Sequence, residues 1–239
     1  MKMKKWNILL LTFAISLMTT GAFAHAIWIE TANTGQIGKA QTVRIYYGEF
    51  VDGERDSVAK WYSDIKDLEL WLVGPDQKKI KLKTTAAANY YEAKFTPGSN
   101  GAYTLTISHQ AKELGGETKY HFLASADVTV GKPAGKSTVF VNSLQLQKSE
   151  ITSAQVNKQI MLKASHNNSD AAKMKVSVFS PNGWSKELTT DTTGSVSFLP
   201  PFPGRYVIEI SDMDKTAGEH YGKPYQETWS GATYSFEVK

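Results

Sequence analysis

Five histidines are the residues of this chain best suited to metal or proton chemistry: His25, His109, His121, His166 and His220. No two stand at a His-x-His or His-x₃-His spacing, so no metal site is written locally into the sequence. His25 differs in kind. It follows Ala22-Phe23-Ala24, the small-x-small pattern behind which a signal peptidase cuts, so cleavage would make it the N-terminal residue. An N-terminal histidine offers its α-amino group and its imidazole in one chelate ring, which suits Cu or Ni. One further histidine from a neighbouring strand or loop would complete such a site. The triplet Ala24-His25-Ala26 also fits the pattern, and a cut behind Ala26 would discard the residue. His220 ranks next. It lies in a polar insertion over 217–225, beside Glu219, Tyr221 and Tyr225, longer than its counterpart in the first half of the chain. Elongated loops at the end of a sheet are where binding groups gather, although a solvated hairpin is the first expectation for this stretch. His121, in Lys119-Tyr120-His121-Phe122-Leu123, shares a strand face with Leu123 and reads as a half-buried core residue, while His109 and His166 read as strand-end or loop residues.

Other chemistries find little support. The chain has no cysteine and no Gly-x-Ser-x-Gly elbow, and its Gly115-Gly116 pair sits in a hairpin rather than between a strand and a helix. Nothing singles out a pair of carboxylates. The expectation is a protein that is not an enzyme. Aromatic residues offer a competing role: Trp61 and Tyr62 in the polar loop 52–67, and Trp184 after the Pro181-Asn182-Gly183 turn. On a loop such rings stack on a carbohydrate or a protein partner, or fold back over the core.

The elements that would position these residues begin after an export signal. Lys2, Lys4 and Lys5 precede an apolar stretch over 8–18, which is too short for the roughly 20 residues of a membrane span. Residues 1–24 are therefore expected to be a signal peptide. The mature chain is expected to be periplasmic or secreted, without a transmembrane segment, and cannot carry a lipid on cysteine. The 27 basic and 23 acidic residues give +4, but three of the lysines lie in the signal, leaving 24 against 23, or +1. With no basic patch interleaved with aromatics, the charge speaks against nucleic acid as a partner.

Beyond residue 26 the chain alternates with a period near two, as in Val43-Arg44-Ile45-Tyr46, Leu68-Glu69-Leu70-Trp71-Leu72 and Val176-Ser177-Val178-Phe179, with Gly, Pro and Asn turns between the runs. This predicts short antiparallel strands, with one brief helical candidate over 56–66. The pattern also repeats. Gly74-Pro75-Asp76, then Phe95, Pro97 and Gly101-Ala102-Tyr103, are matched by Ser180-Pro181-Asn182, then Phe198, Pro200 and Gly204-Arg205-Tyr206. The step from the later proline to the tyrosine is six positions in both copies, 97 to 103 and 200 to 206. A core phenylalanine, a glycine at a tight corner and a tyrosine anchoring that corner through its hydroxyl belong to Ig-like sandwiches. The expected architecture is all-β: two tandem Ig-like or transthyretin-like antiparallel β-sandwiches, over 25–132 and 137–239, joined by a linker at 133–136.

The His25-Ala26-Ile27-Trp28 start, Tyr47-Gly48-Glu49-Phe50, Gly74-Pro75-Asp76 and the closing run from Gly222-Lys223-Pro224-Tyr225 to Glu237-Val238 together resemble the DUF4198 family of exported bacterial proteins. The resemblance covers essentially the whole mature chain and lies in the order and spacing of the motifs. It implies an accessory protein of nickel or cobalt uptake, working near a membrane transport component, with a divalent transition metal (Ni, Co or Cu) as its ligand. Relatives with Gly-His at the place of Gly48-Glu49 imply that this chain presents a carboxylate there. The implied metal ligands are His25, Glu49 and His220.

Overall fold

The computed structural model describes residues 25–132, 140–150 and 153–239. The expected signal segment and linker lie outside the described residues. In the first half the chain forms β1 (Ala26–Thr31), β2 (Thr34–Gly35), β3 (Gln41–Gly48), β4 (Leu70–Val73), β5 (Lys79–Leu82), β6 (Thr85–Ala86), β7 (Tyr91–Phe95), β8 (Gly101–Gln110) and β9 (Thr118–Val130). The second half adds β10 (Leu144–Lys148), β11 (Ile160–His166), β12 (Ser169–Asp170), β13 (Lys175–Phe179), β14 (Ser185–Thr189), β15 (Ser195–Phe198) and β16 (Gly204–Asp214). It closes with β17 (Gly218–His220), β18 (Lys223–Tyr225) and β19 (Glu227–Val238). The helical candidate over 56–66 resolves into two single 3₁₀ turns, Val58–Lys60 and Ile65–Asp67.

The repeat is visible atom by atom. Pro75 and Pro181 sit in the β4–β5 and β13–β14 turns, and each lies where a Cβ on Gly101 or Gly204 would fall 2.5 or 2.7 Å from its Cγ. Both glycines hold positive φ, +141° and +119°, so the corner needs glycine for conformation and for space. Next to them Tyr103 and Tyr206 donate their hydroxyls to the Ser99 and Phe202 carbonyls, each at 3.0 Å, and accept the N–H of the same residue. Phe95 and Phe198 face the two cores beside these tyrosines, with ring centroids 5.8 and 6.0 Å away.

The two sandwiches are joined more closely than a tandem array requires. Parallel pairing of β19 with β9, from Glu227↔Thr118 to Ser235↔Ala126, fuses strands of both halves into one nine-stranded sheet ordered β14-β13-β16-β19-β9-β8-β4-β5, with β2 on β9. Each half then covers its own portion. The sheet β1-β3-β7-β6 closes the first core around Ile27, Ile45, Leu105 and Ile107, and β10-β11-β12 with β15 closes the second around Leu146, Leu162, Ile208 and Tyr234.

A third cluster, Trp28, Tyr46, Phe50, Phe179 and Val207, fills the seam between the halves. This explains a break in pattern along β3: Thr42 and Arg44 point outward and are exposed, but Tyr46 on the same face is buried because the second half covers it. The free edge of β1 is finished by the other half. Thr233 donates to the Ile27 carbonyl at 2.7 Å, Ser235 to that of Ile29, and Arg205 to that of Thr31 at 2.7 Å. Side chains of the second half thus satisfy alternate carbonyls that an edge strand would otherwise leave open.

Candidate functional site

Antiparallel register decides what His25 meets. β1 and β3 pair as Ala26↔Gly48 and Ile27↔Tyr47, so one further step sets His25 opposite Glu49. His25 Nδ1 lies 3.2 Å from Glu49 Oε1, and its Nε2 lies 3.4 Å from Asp56 Oδ2. The imidazole leans on Tyr47, with centroids 5.3 Å apart. The His25 side chain keeps 41% of its surface accessible, whereas that of Glu49 keeps 12%, so the ring is reachable from outside and the carboxylate is the inner wall.

Asp56 comes back to the ring because the loop after β3 folds on itself. Glu54 N–H donates to the Glu49 carbonyl and Asp56 N–H to that of Tyr47, each at 2.9 Å. Gly48 allows this close return: a Cβ there would stand 2.7 Å from the Glu54 carbonyl oxygen, and its φ is +148°. Arg55 pins the loop from the seam side. Its guanidinium lies 5.1, 5.2 and 5.5 Å from the ring centroids of Trp28, Tyr46 and Phe50, and it pairs with Glu30 at 3.3 Å.

The electrostatics favour a cation. Burial raises the Glu49 carboxyl above its ordinary value; His25 pulls it down, while Asp52, Glu54 and Asp56 push it up. Glu49 Oε1 is buried and receives no hydrogen bond from the described residues; its contact with Nδ1 at 3.2 Å is an ion-pair distance only. An orphaned carboxylate oxygen facing an imidazole nitrogen is a mixed N/O donor set that suits Ni, Co or Cu. The pair His25 and Glu49 thus supplies two donor atoms of the kind a divalent transition metal takes. Glu49 and Asp56 approach opposite ring nitrogens and share no common point, and among the described residues no group of three His, Cys, Asp or Glu side chains is arranged to hold a metal.

His220 stands apart from this pair. In the β17–β18 hairpin its Nε2 lies 2.9 Å from the Ala111 carbonyl, and its ring packs edge-on to Tyr221. The insertion folds as a small hairpin that leans on the first half, with Gln226 N–H on the Glu117 carbonyl and Lys119 over the Tyr225 ring. His109 is paired with Asp64 at 3.1 Å, and His166 lies 3.6 Å from Asp212. His121 is half-buried with Ser108 Oγ on its Nε2, and burial brings its pKa down to about 4, so it stays neutral.

Beside His25 opens a concavity of about 310 Å³ lined by Tyr47, Tyr62, Tyr120, Phe122, Trp229 and Gly115. Two of its walls lie over glycines. A Cβ on Gly115 would meet Tyr120 at 2.2 Å, and one on Gly231 would meet the Trp229 indole at 2.1 Å. Of the loop aromatics singled out from sequence, Tyr62 reaches this bowl, whereas Trp61 is buried in the first core and donates to the Asp56 carbonyl. Sequence reasoning missed Asp56, Tyr120 and Trp229. Only the return of the 49–56 loop and the β9–β19 pairing bring them to His25.

Among the described residues no helix is long and apolar enough to cross a membrane. No protein-family model matches the chain, and no curated protein matches it. Among solved structures it is similar to a two-domain fibronectin type-III segment of chicken tenascin, at 14% identity and a TM-score of 0.23, over 85% of this chain and 95% of that one. It is also similar to a protein of Corynebacterium diphtheriae described as membrane anchored, at 11% identity and a TM-score of 0.29, over 90% of this chain and 59% of that one. Likenesses of this depth bear on neither ligand nor activity.

Proposed function

We propose that this chain is an exported, non-enzymatic accessory protein that binds a divalent transition metal (Ni, Co or Cu) in support of metal uptake, handing it to a membrane transport component. One observation carries the reading: the ladder sets His25 Nδ1 3.2 Å from a buried Glu49 oxygen that has no hydrogen bond. Cleavage behind Ala24 would add the α-amino group of His25, bringing the donors to two nitrogens and one oxygen. Asp56 supports the same assignment from behind. Its Oδ2 lies 3.4 Å from Nε2, where an outer carboxylate would orient a histidine that binds metal through Nδ1. His220 is left out of the ligand set, since its Nε2 is engaged with a backbone carbonyl.

The test is N-terminal sequencing of the exported protein, followed by Ni(II) and Cu(II) titration of the wild type, His25→Ala and Glu49→Gln. The expected result is a chain beginning His-Ala-Ile-Trp with one tight site that weakens roughly tenfold or more in each variant, in line with the loss of a charge-bearing contact. A chain beginning at Ile27, or equal affinity in all three proteins, overturns the proposal.

A second reading, an interaction module for carbohydrate or a protein partner, is favoured by the aromatic bowl beside His25. On that reading Tyr62→Ala abolishes retention on the cognate glycan in an array screen and leaves metal affinity unchanged. Metal affinity without glycan retention in the wild type excludes its carbohydrate form.

A further inference from the structure

A carboxyl that the metal proposal does not use lies across the seam from His25. Glu209 sits in the middle of β16, laddered to Ser177 on β13 and Thr233 on β19. Strand faces alternate, and Ile208 and Ile210 belong to the second core, so Glu209 is turned to the seam. There it lines a cavity of about 250 Å³ whose apolar walls are Phe122, Phe179 and Trp229. Ser177, Ser211 and Thr233 bring hydroxyls to the lining, and Lys175 and Glu187 add an opposed pair of charges.

Among the described residues no hydrogen bond or ion pair to the Glu209 carboxyl occurs. The one lysine of the lining, Lys175, is paired with Glu187 at 3.0 Å, and both are exposed. The carboxyl is half-buried and has no donor from the protein, so it loses part of its hydration with nothing in the protein to replace it. The cost shows in its proton affinity: burial, and then the negative charge of Glu49, push Glu209 up to about 8. The residue makes physical sense if something brings a positive charge to it.

We propose that this cavity binds a small organic ammonium ion, its charge on Glu209 and its apolar body against Phe122, Phe179 and Trp229. Aromatic faces attract cations, so the walls and the carboxyl act in the same direction. The hydroxyl oxygens of Ser177 and Ser211 offer acceptors for the remaining ammonium protons. The volume is below the ~300–1,000 Å³ usual for drug-sized ligands, so the occupant is small. A metal ion is the poorer fit, because three of the walls are aromatic and supply no donor atoms. The inference does not require a metal at His25, although the cavity shares Phe122 and Trp229 with the bowl beside that residue.

The experiment is calorimetric titration of the exported chain with 2-phenylethylammonium, and with 3-phenylpropionate as a probe of similar shape and opposite charge. The wild type is expected to bind the ammonium saturably at one site and to ignore the carboxylate. Glu209→Gln, which keeps the shape and removes the charge, should weaken binding roughly tenfold or more. Ser177→Leu, which fills the cavity and spares Glu209, should abolish it. No binding to the wild type, equal binding to Glu209→Gln, or binding of both probes alike overturns the proposal. So does a loss of Ni(II) affinity in Glu209→Gln, which would make the residue a metal ligand instead.

Discussion

At the scale of single residues, the half-buried carboxyl of Glu209 has a cost that can be read without any ligand. Its folded pKa is raised to about 8 from an ordinary value of 4.5. Between those values the folded state holds a proton that the unfolded chain has released, so stability falls as pH rises through that window and levels off above about pH 8. Glu209→Gln should flatten this decline and melt higher than the wild type at pH 8.5, with little difference near pH 4. Denaturation series in chelator across that range would show it, and parallel curves for the two proteins would contradict it. The corner glycines make a second prediction. Gly204→Ala must place a methyl 2.7 Å from Pro181 Cγ at a φ of +119°, a strain of about 1–3 kcal/mol, so its melting temperature should drop by several degrees. An unchanged melting temperature would mean that the corner relaxes.

At the scale of elements, β1 and the 49–56 loop hold His25 in place through groups remote from it in sequence. Thr233→Val keeps the volume of the side chain but leaves the Ile27 carbonyl without its donor, a cost of about 1–3 kcal/mol. Hydrogen exchange should then speed up along β1 before it does along β8. Arg55→Ala removes the cation stacked on Trp28, Tyr46 and Phe50 and should loosen the loop carrying Asp56. Metal affinity should fall although Arg55 touches no donor; no change would show that Gly48 and the backbone turn suffice. These supports also mark what was legible in the sequence. Alternation and the six-residue proline-to-tyrosine step carried the strands, the corners and both cores, because those rest on local geometry. The His25–Glu49 contact follows from register once β1 and β3 are paired. Asp56 depends on a loop return, and Trp229 on a strand pairing between the halves, and neither leaves a periodic signal along the chain. The same reason explains His220: a polar insertion reads as a hairpin or a binding loop, and only the contact with the Ala111 carbonyl shows it leaning on the first half.

At the scale of the molecule, the two halves share too much to behave as separate domains. β9 and β19 exchange backbone hydrogen bonds along nine residue pairs, and each half lends the other a core side chain: Leu123 of β9 enters the second core, and Trp229 of β19 packs on the first. Between them the half-buried Asp127 accepts from Thr104 at 2.7 Å and from Tyr234 at 2.9 Å, so one carboxyl joins three strands across the boundary. Opening the second sandwich would strip the β9 edge, uncover Trp28, Tyr46 and Phe50, and leave the β1 carbonyls without Thr233, Ser235 and Arg205. Free energy lost in one half therefore has to appear in the other. Tyr206→Phe deletes the corner hydroxyl of the second half alone, at a cost of about 1 kcal/mol. In a tandem array it would lower one of two transitions. Here the wild type should unfold in a single transition, and Tyr206→Phe should shift that transition as a whole. Hydrogen exchange in β3 and β7, strands of the first half, should accelerate by the same factor as in β13 and β16. Two resolved transitions, or an effect confined to the second half, would show that the parallel ladder joins the sandwiches without coupling them.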